Sequence, residues 1–307
     1  MPESIINVSY IVAAILFILG IKMLGSATTA VKGNRISSLG MLIAIIVTLS
    51  KSGLDYGWIV AGLAVGGAIG LIAAKRVQMT GMPELVALFN GFGGLASLLV
   101  GWSEYEKVRS GGWDTYLEGA GDAMPGQWFL ALVIVIAVII GGITFTGSIV
   151  AYLKLSGKIG GTATTFPLQK LINLLVMIGA VVAGCYFIMI VDSETARFWL
   201  WWIIALALLI GALGVIPIGG GDMPVVIALL NSFSGLGAAA AGFVITNTVL
   251  VVAGCLVGAS GLILSIIMCK AMNRSLGNVL FGGFGALSSS GGKQVDGEMK
   301  ALTVEDA

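Results

Sequence analysis

Two carboxylates and two amides stand where a mostly apolar chain gives them little reason to be. In GGGDMPVVIALLNSFSG, residues 219–235, Asp222 precedes Pro224 and Asn231 comes seven residues after that proline. In TGMPELVALFNGFGG, residues 80–94, Glu84 follows Pro83 and Asn90 again comes seven residues after the proline. Seven residues are about two helical turns, so each proline and its amide share one helix face. Proline suits a first turn, where its missing N–H costs nothing, and a carboxylate there faces the positive end of the helix dipole. Such an acid either caps the helix or sits at a water-facing mouth. For Glu84 capping is the plainer reading, whereas the flexible GGG approach favours a functional one for Asp222. An amide two turns into an apolar helix must be paired, so it either joins helices or holds a water chain.

The elements that carry these groups follow from composition. Of 307 residues, 58% are hydrophobic and 10% charged, which only an integral membrane protein requires over this length. A formal net charge of +1 leaves no nucleic-acid footprint. Cys185, Cys255 and Cys269 lie in or beside apolar runs without metal-ligand spacing, and there is no histidine, so neither a disulfide framework nor a Cys/His metal site is expected. Spans are expected near 4–24, 36–50, 56–74, 83–102, 127–153, 170–191, 197–216, 224–245 and 248–270. The fold class is therefore an all-α polytopic bundle of about nine transmembrane helices. The first span follows MPES, which lacks a basic segment, and reads as retained.

With the N-terminus outside, 12 of the 16 Lys and Arg fall inside, and the opposite orientation reverses that bias. The tail is then cytoplasmic. Residues 1–273 form the transmembrane domain, and 274–307 read as a flexible cytoplasmic linker. The external segment 103–126 carries Tyr105, Trp113 and Tyr116, which suit a membrane-surface lid or a plain solvated loop.

The two opening stretches are copies. Residues 81–97 align with 222–238 at an offset of 141, with 8 of 17 positions identical, Pro83/Pro224 and Asn90/Asn231 among them. Each copy precedes a span with a knot of small residues, TFTGSIV at 144–150 and VGASGLI at 257–263, where Gly147 matches Gly261. The first copy carries the long external segment and the second a tight turn. Both copies enter from the same side, so the repeat is parallel and argues for a pseudo-two-fold along the membrane normal. Thr144, Thr146, Ser148, Ser260 and Ser265 on neighbouring spans favour a hydrated path through the bundle over simple helix glue. Gly62, Gly66 and Gly70 on the third span, and Gly254 and Gly258 on the ninth, read as sites of close helix approach.

The long words GGGDMPVVIALLNSFSGLGAAAAGF, VGASGLILSIIMCKAMNRS, KRVQMTGMPELVALFNGF and TFTGSIVAYLKLSGKI resemble the membrane domain of the beta subunit of proton-translocating NAD(P) transhydrogenases. The likeness runs over essentially the whole chain. It implies an inner-membrane protein, part of an enzyme complex that moves hydride from NADH to NADP+ and couples this to proton movement. It implies partners too: an alpha subunit with further spans and the NAD-binding domain, an NADP-binding domain beyond the linker, and a homodimer of the complex. No cofactor is expected on residues 1–307, and this stretch is not expected to catalyse hydride transfer alone.

By the same resemblance Asn231 matches a polar channel residue, Asp222 the acid at the cytoplasmic mouth, and Arg274 the basic residue before the linker. Ser260 and Gly261 match the small-residue segment of the last span. The expected proton pathway is thus Asn90, Asn231, Asp222, Ser260 and Thr146, with Asp222, Glu84, Arg274 and Gly261 at the mouth and in coupling. Many members have histidine where Asn90 stands. Asparagine cannot take a proton near neutral pH, so the relay group is expected elsewhere, on a partner-subunit helix, with Asn90 holding water. From another class, a secondary transporter with polar half-sites at Asn90 and Asn231 is the competing reading. A purely structural anchor would not need the duplicated asparagine.

Overall fold

The computed structural model describes residues 3–50, 54–113, 126–191 and 193–281. Its long helices are α1 (Glu3–Leu24), α2 (Ala30–Leu49), α3 (Tyr56–Arg76), α4 (Met82–Gly111), α5 (Gln127–Leu155), α6 (Gln169–Met189), α7 (Ala196–Val215), α8 (Met223–Val244) and α9 (Thr248–Ala271), followed by a short α10 (Leu276–Phe281). Nine helices among the described residues are long and apolar enough to cross a membrane. A chain with so few polar side chains must satisfy its backbone within each span, which the α-helix does. This is an all-α, multi-pass membrane protein.

Most ends fall within a few residues of the sequence-based spans, with two larger differences. The second span starts at Ala30 because AVKGN continues the helix ahead of the apolar run. The fourth runs on to Gly111, because Tyr105 and Val108 keep a buried face turned inward past the apolar stretch. Tyr105 is fully buried against Phe187, with ring centroids 5.4 Å apart, and Trp113 is buried as well. Both belong to the core and not to a surface lid; Tyr116 lies outside the described residues.

Three hairpins and a flanking pair build the bundle. α1 packs on α2, α4 on α5, α8 on α9 and α6 on α7, while α5 and α8 tie the set together through contacts with α4 and with each other. Besides a smaller cluster where α1, α2 and α9 meet, around Tyr10, Val47 and Val249, the core has two clusters separated along the membrane normal. One cluster, around Tyr105, Leu130, Ile134, Phe187 and Leu200, fills the end near Glu106. The other, around Met223, Val225, Val226, Cys269 and Val279, fills the end near Asp222.

α4–α5 and α8–α9 are the duplicated hairpins, and they pack alike. A Cβ on Gly94 would lie 2.7 Å from the Thr144 Cβ and 2.8 Å from the Gly141 oxygen. On its repeat partner Gly235 a Cβ would meet the Gly258 nitrogen and lie 2.7 Å from the Gly254 oxygen. Only a residue without Cβ lets these backbones approach so closely. The expected tight turn joins α8 to α9, with Thr246 left-handed (φ 50°) and the Asn247 side chain accepting from the Leu250 N–H at 3.1 Å.

The third span departs from expectation. α3 has no buried residue, and a Cβ on Gly62, Gly66 or Gly70 would meet nothing within 4 Å among the described residues. The glycine stripe serves no close approach among the described residues, because no described helix lies against that face. Gly254 and Gly258 do serve one, against α8.

Candidate functional site at the junction of the duplicated hairpins

Asn90 lies on the inner face of α4 where α4, α5 and α8 meet. Its amide nitrogen donates to Ser148 Oγ on α5 at 2.9 Å, and its amide oxygen accepts from Ser234 Oγ on α8 at 2.7 Å. Ser148 is fully buried. The side chain thus spends one donor and one acceptor on two different helices, which offsets the cost of an amide in apolar surroundings and locks the first hairpin to the second.

Asn231, its repeat counterpart, is placed differently. On the helical wheel of α8, Ser234 (three residues on) faces Asn90 of α4, and Gly235 (four residues on) packs on Gly254 and Gly258 of α9. Asn231 lies between those directions and looks into the groove between α4 and α9. It is half-buried and makes no side-chain hydrogen bond among the described residues. Asn90 and Asn231 are equivalent in sequence and unlike in surroundings.

The two carboxylates diverge as well. Asp222 stands at the N-cap position of α8, yet its side chain makes no capping bond. Its Oδ2 instead lies 2.6 Å from Nη1 of Arg274, three residues beyond the end of α9. Glu84, in the first turn of α4, has no ion pair among the described residues and lines an open cavity of about 450 Å³ with Gln78, Thr80, Leu88 and Tyr152. Lys158 reaches the same rim, donating to the Tyr152 hydroxyl at 3.1 Å.

Of the remaining candidates, Gly261 is a packing residue: a Cβ there would lie 2.7 Å from the Ser232 nitrogen. Ser260 donates to the Val257 oxygen of its own helix at 3.0 Å. Thr146 is turned away from Asn90. Its hydroxyl donates to the Leu208 oxygen on α7 at 2.7 Å and to Gly142 of its own helix at 3.1 Å, so it joins α5 to α7 and stays outside the amide cluster. The structure brings together Asn90, Ser148 and Ser234, and separately Asp222 and Arg274.

Two residues escaped the reading of the sequence. Ser234 occupies the position where the first copy has Gly93, and that break in the repeat was the available signal. Lys154, expected as a charge on the inside, is buried at the end of α5. Its ammonium donates to the main-chain oxygens of Ile218 at 2.7 Å, Thr162 at 3.3 Å and Ile216.

The fold and this site define a multi-pass membrane protein whose duplicated hairpins share a polar core. Residues 6–307 match the family model described as NAD(P) transhydrogenase beta subunit, so the chain belongs to that family. It is 44% identical over 311 residues to the NAD(P) transhydrogenase subunit beta of Rhodospirillum rubrum, and matches the same subunit from a named strain of that species equally well. The alignment covers all of this chain and 65% of each relative, so the chain spans just under two thirds of their length.

Proposed function

We propose that this chain is the proton-translocating membrane module of an NAD(P) transhydrogenase. In this reading it couples proton movement across an inner membrane to hydride transfer from NADH to NADP+, and the nucleotides bind on other domains of the complex. The N-terminus lies outside and the Asp222 end faces the cytoplasm. The partners are an alpha subunit bearing further spans and the NAD-binding domain, an NADP-binding domain beyond residue 307, and a second copy of the complex.

The observation that carries the reading is the half-buried amide of Asn231, which makes no side-chain hydrogen bond among the described residues, about 13 Å along α8 from Asp222. An amide at that depth is costly against hydrocarbon, so its groove between α4 and α9 calls for a polar cover. A transmembrane helix of the alpha subunit with a protonatable side chain supplies both the cover and the relay group that Asn90 cannot be. The proton then passes between that group, water held by Asn231, and the mouth at Asp222. There the Asp222–Arg274 pair ties the path to the segment leading out of the membrane, so that proton occupancy and NADP binding influence each other.

The reading is tested by reconstituting the chain in vesicles with an alpha subunit and an NADP-binding domain. NADH-driven reduction of an NADP analogue is expected to be accompanied by proton uptake that a protonophore collapses. Reduction at full rate without proton movement rules the module out as the proton path.

A further inference from the structure

Lys154 is a buried cation that the proton path above does not use. It is 4% exposed, in no salt bridge among the described residues, and surrounded by main-chain oxygens. An ammonium has three donors and no acceptor, and here the three go to Ile216, Ile218 and Thr162. All its protons are committed, which makes it a poor relay and a strong clamp.

What it clamps is the approach to Asp222. Ile216 and Ile218 belong to the segment between α7 and α8, and Thr162 to the segment between α5 and α6. The two segments are held together further by the Gly220 N–H donating to the Gly161 oxygen at 2.7 Å and by the Thr164 N–H donating to the Ile216 oxygen at 3.4 Å. Between the clamp and Asp222 stand Gly219, Gly220 and Gly221, and a Cβ on Gly221 would touch nothing within 4 Å. Three successive glycines leave the backbone unrestrained unless something outside them fixes it. Beyond Asp222 the chain of contacts continues through Arg274 to α10, whose first turn is held by the Asn278 N–H donating to Ser275 Oγ at 3.1 Å and whose Val279 is buried in the Asp222-end core.

We propose that Lys154 is a positioning residue: it fixes the GGG approach so that Asp222 meets Arg274 and thereby docks α10. Because Ser148 of the amide cluster lies on the same helix, about 9 Å from Lys154, the clamp also joins that cluster mechanically to the segment leaving the membrane. This last step rests on the proton-coupling reading, whereas the positioning itself does not.

The test is hydrogen exchange by mass spectrometry on the 307-residue chain in lipid nanodiscs, comparing Lys154→Met, Asp222→Asn and the double variant with wild type. Lys154→Met is expected to speed exchange about tenfold both in 216–222 and, at a distance, in 276–281. Asp222→Asn is expected to speed 276–281 alone, and the double variant to exchange there no faster than Lys154→Met. Acceleration in 216–222 with 276–281 at the wild-type rate reduces Lys154 to a local cap and overturns the proposal, as does no change anywhere. Should Lys154→Met fail to insert, Lys154→Gln keeps two N–H donors and is expected to give the same pattern at smaller amplitude. Proton uptake by Lys154→Met in the reconstituted complex separates the two ideas. Altered exchange with normal uptake leaves the positioning standing and removes only the mechanical link between the clamp and the amide cluster, whereas absence of uptake in the wild-type complex is what sinks the coupling reading.

Discussion

The two duplicated hairpins start from nearly the same words and end in different roles. In α4–α5 the amide is closed: Asn90 is bound on both sides, to Ser148 and to Ser234. In α8–α9 the amide is open, and Asn231 looks out between α4 and α9 without a partner among the described residues. The acids reverse that pattern. Glu84 of the first hairpin lines an open cavity, while Asp222 of the second is paired with Arg274. Duplication preserved the backbone packing, shown by Gly94 and Gly235 at equivalent crossings, and let the polar groups specialise. The first hairpin holds its amide in a joint between helices, and the second, in the proposed function, is the conduit with Asp222 at its mouth.

The shared packing is the most sensitive point. Gly235→Ala forces a methyl into the α9 backbone at Gly254 and Gly258, which cannot move aside as a flexible side chain would. A loss of about 3 kcal/mol, or failure to assemble, is expected in thermal unfolding of the purified protein. Gly66→Ala on α3 meets open space and serves as the control, with no loss of stability expected. Comparable losses from the two would refute the view that the crossings of the hairpins are special.

Closing the amide comparison comes next. Asn90→Leu strands Ser148 and Ser234 among apolar neighbours and is expected to cost about 1–2 kcal/mol. Asn231→Leu removes an amide that bonds to nothing within the described chain, so its stability should match wild type. If both cost the same, the closed and open amides are not distinct.

The mouth gives the smallest effect on stability. The Asp222–Arg274 pair is partly exposed, and Asp222→Asn is expected to cost less than about 1 kcal/mol. It should nevertheless abolish proton-coupled reduction in the reconstituted complex and shift NADP affinity. Glu84→Gln, which breaks no ion pair among the described residues, should do neither. Wild-type proton uptake and NADP affinity in Asp222→Asn would leave the pair as a surface ornament.

Much of this was legible in the sequence, and for definite reasons. Apolar runs of spanning length fix nine helices whatever packs on them. The recurrence of Pro83 and Asn90 at Pro224 and Asn231 exposed the repeat, because proline and asparagine are not interchangeable filler. What periodicity cannot give is the neighbour. It placed Thr146 near Ser148 along α5 but could not tell that the Thr146 hydroxyl meets α7 while Ser148 meets Asn90. It read Gly62, Gly66 and Gly70 as a contact stripe though no helix among the described residues lies there. Lys154 looked like an ordinary inside charge because its carbonyl cage is assembled from two segments 50 or more residues apart, whose paths only the fold defines.

The claim that the second hairpin conducts and the first only joins is tested most directly by proton uptake in vesicles containing the reconstituted complex with Asn231→Leu. The account predicts a normally inserted, normally stable protein whose NADH-driven proton uptake falls close to the background of protein-free vesicles. Uptake at the wild-type rate would contradict it, and would make Asn231 one more helix contact awaiting its partner.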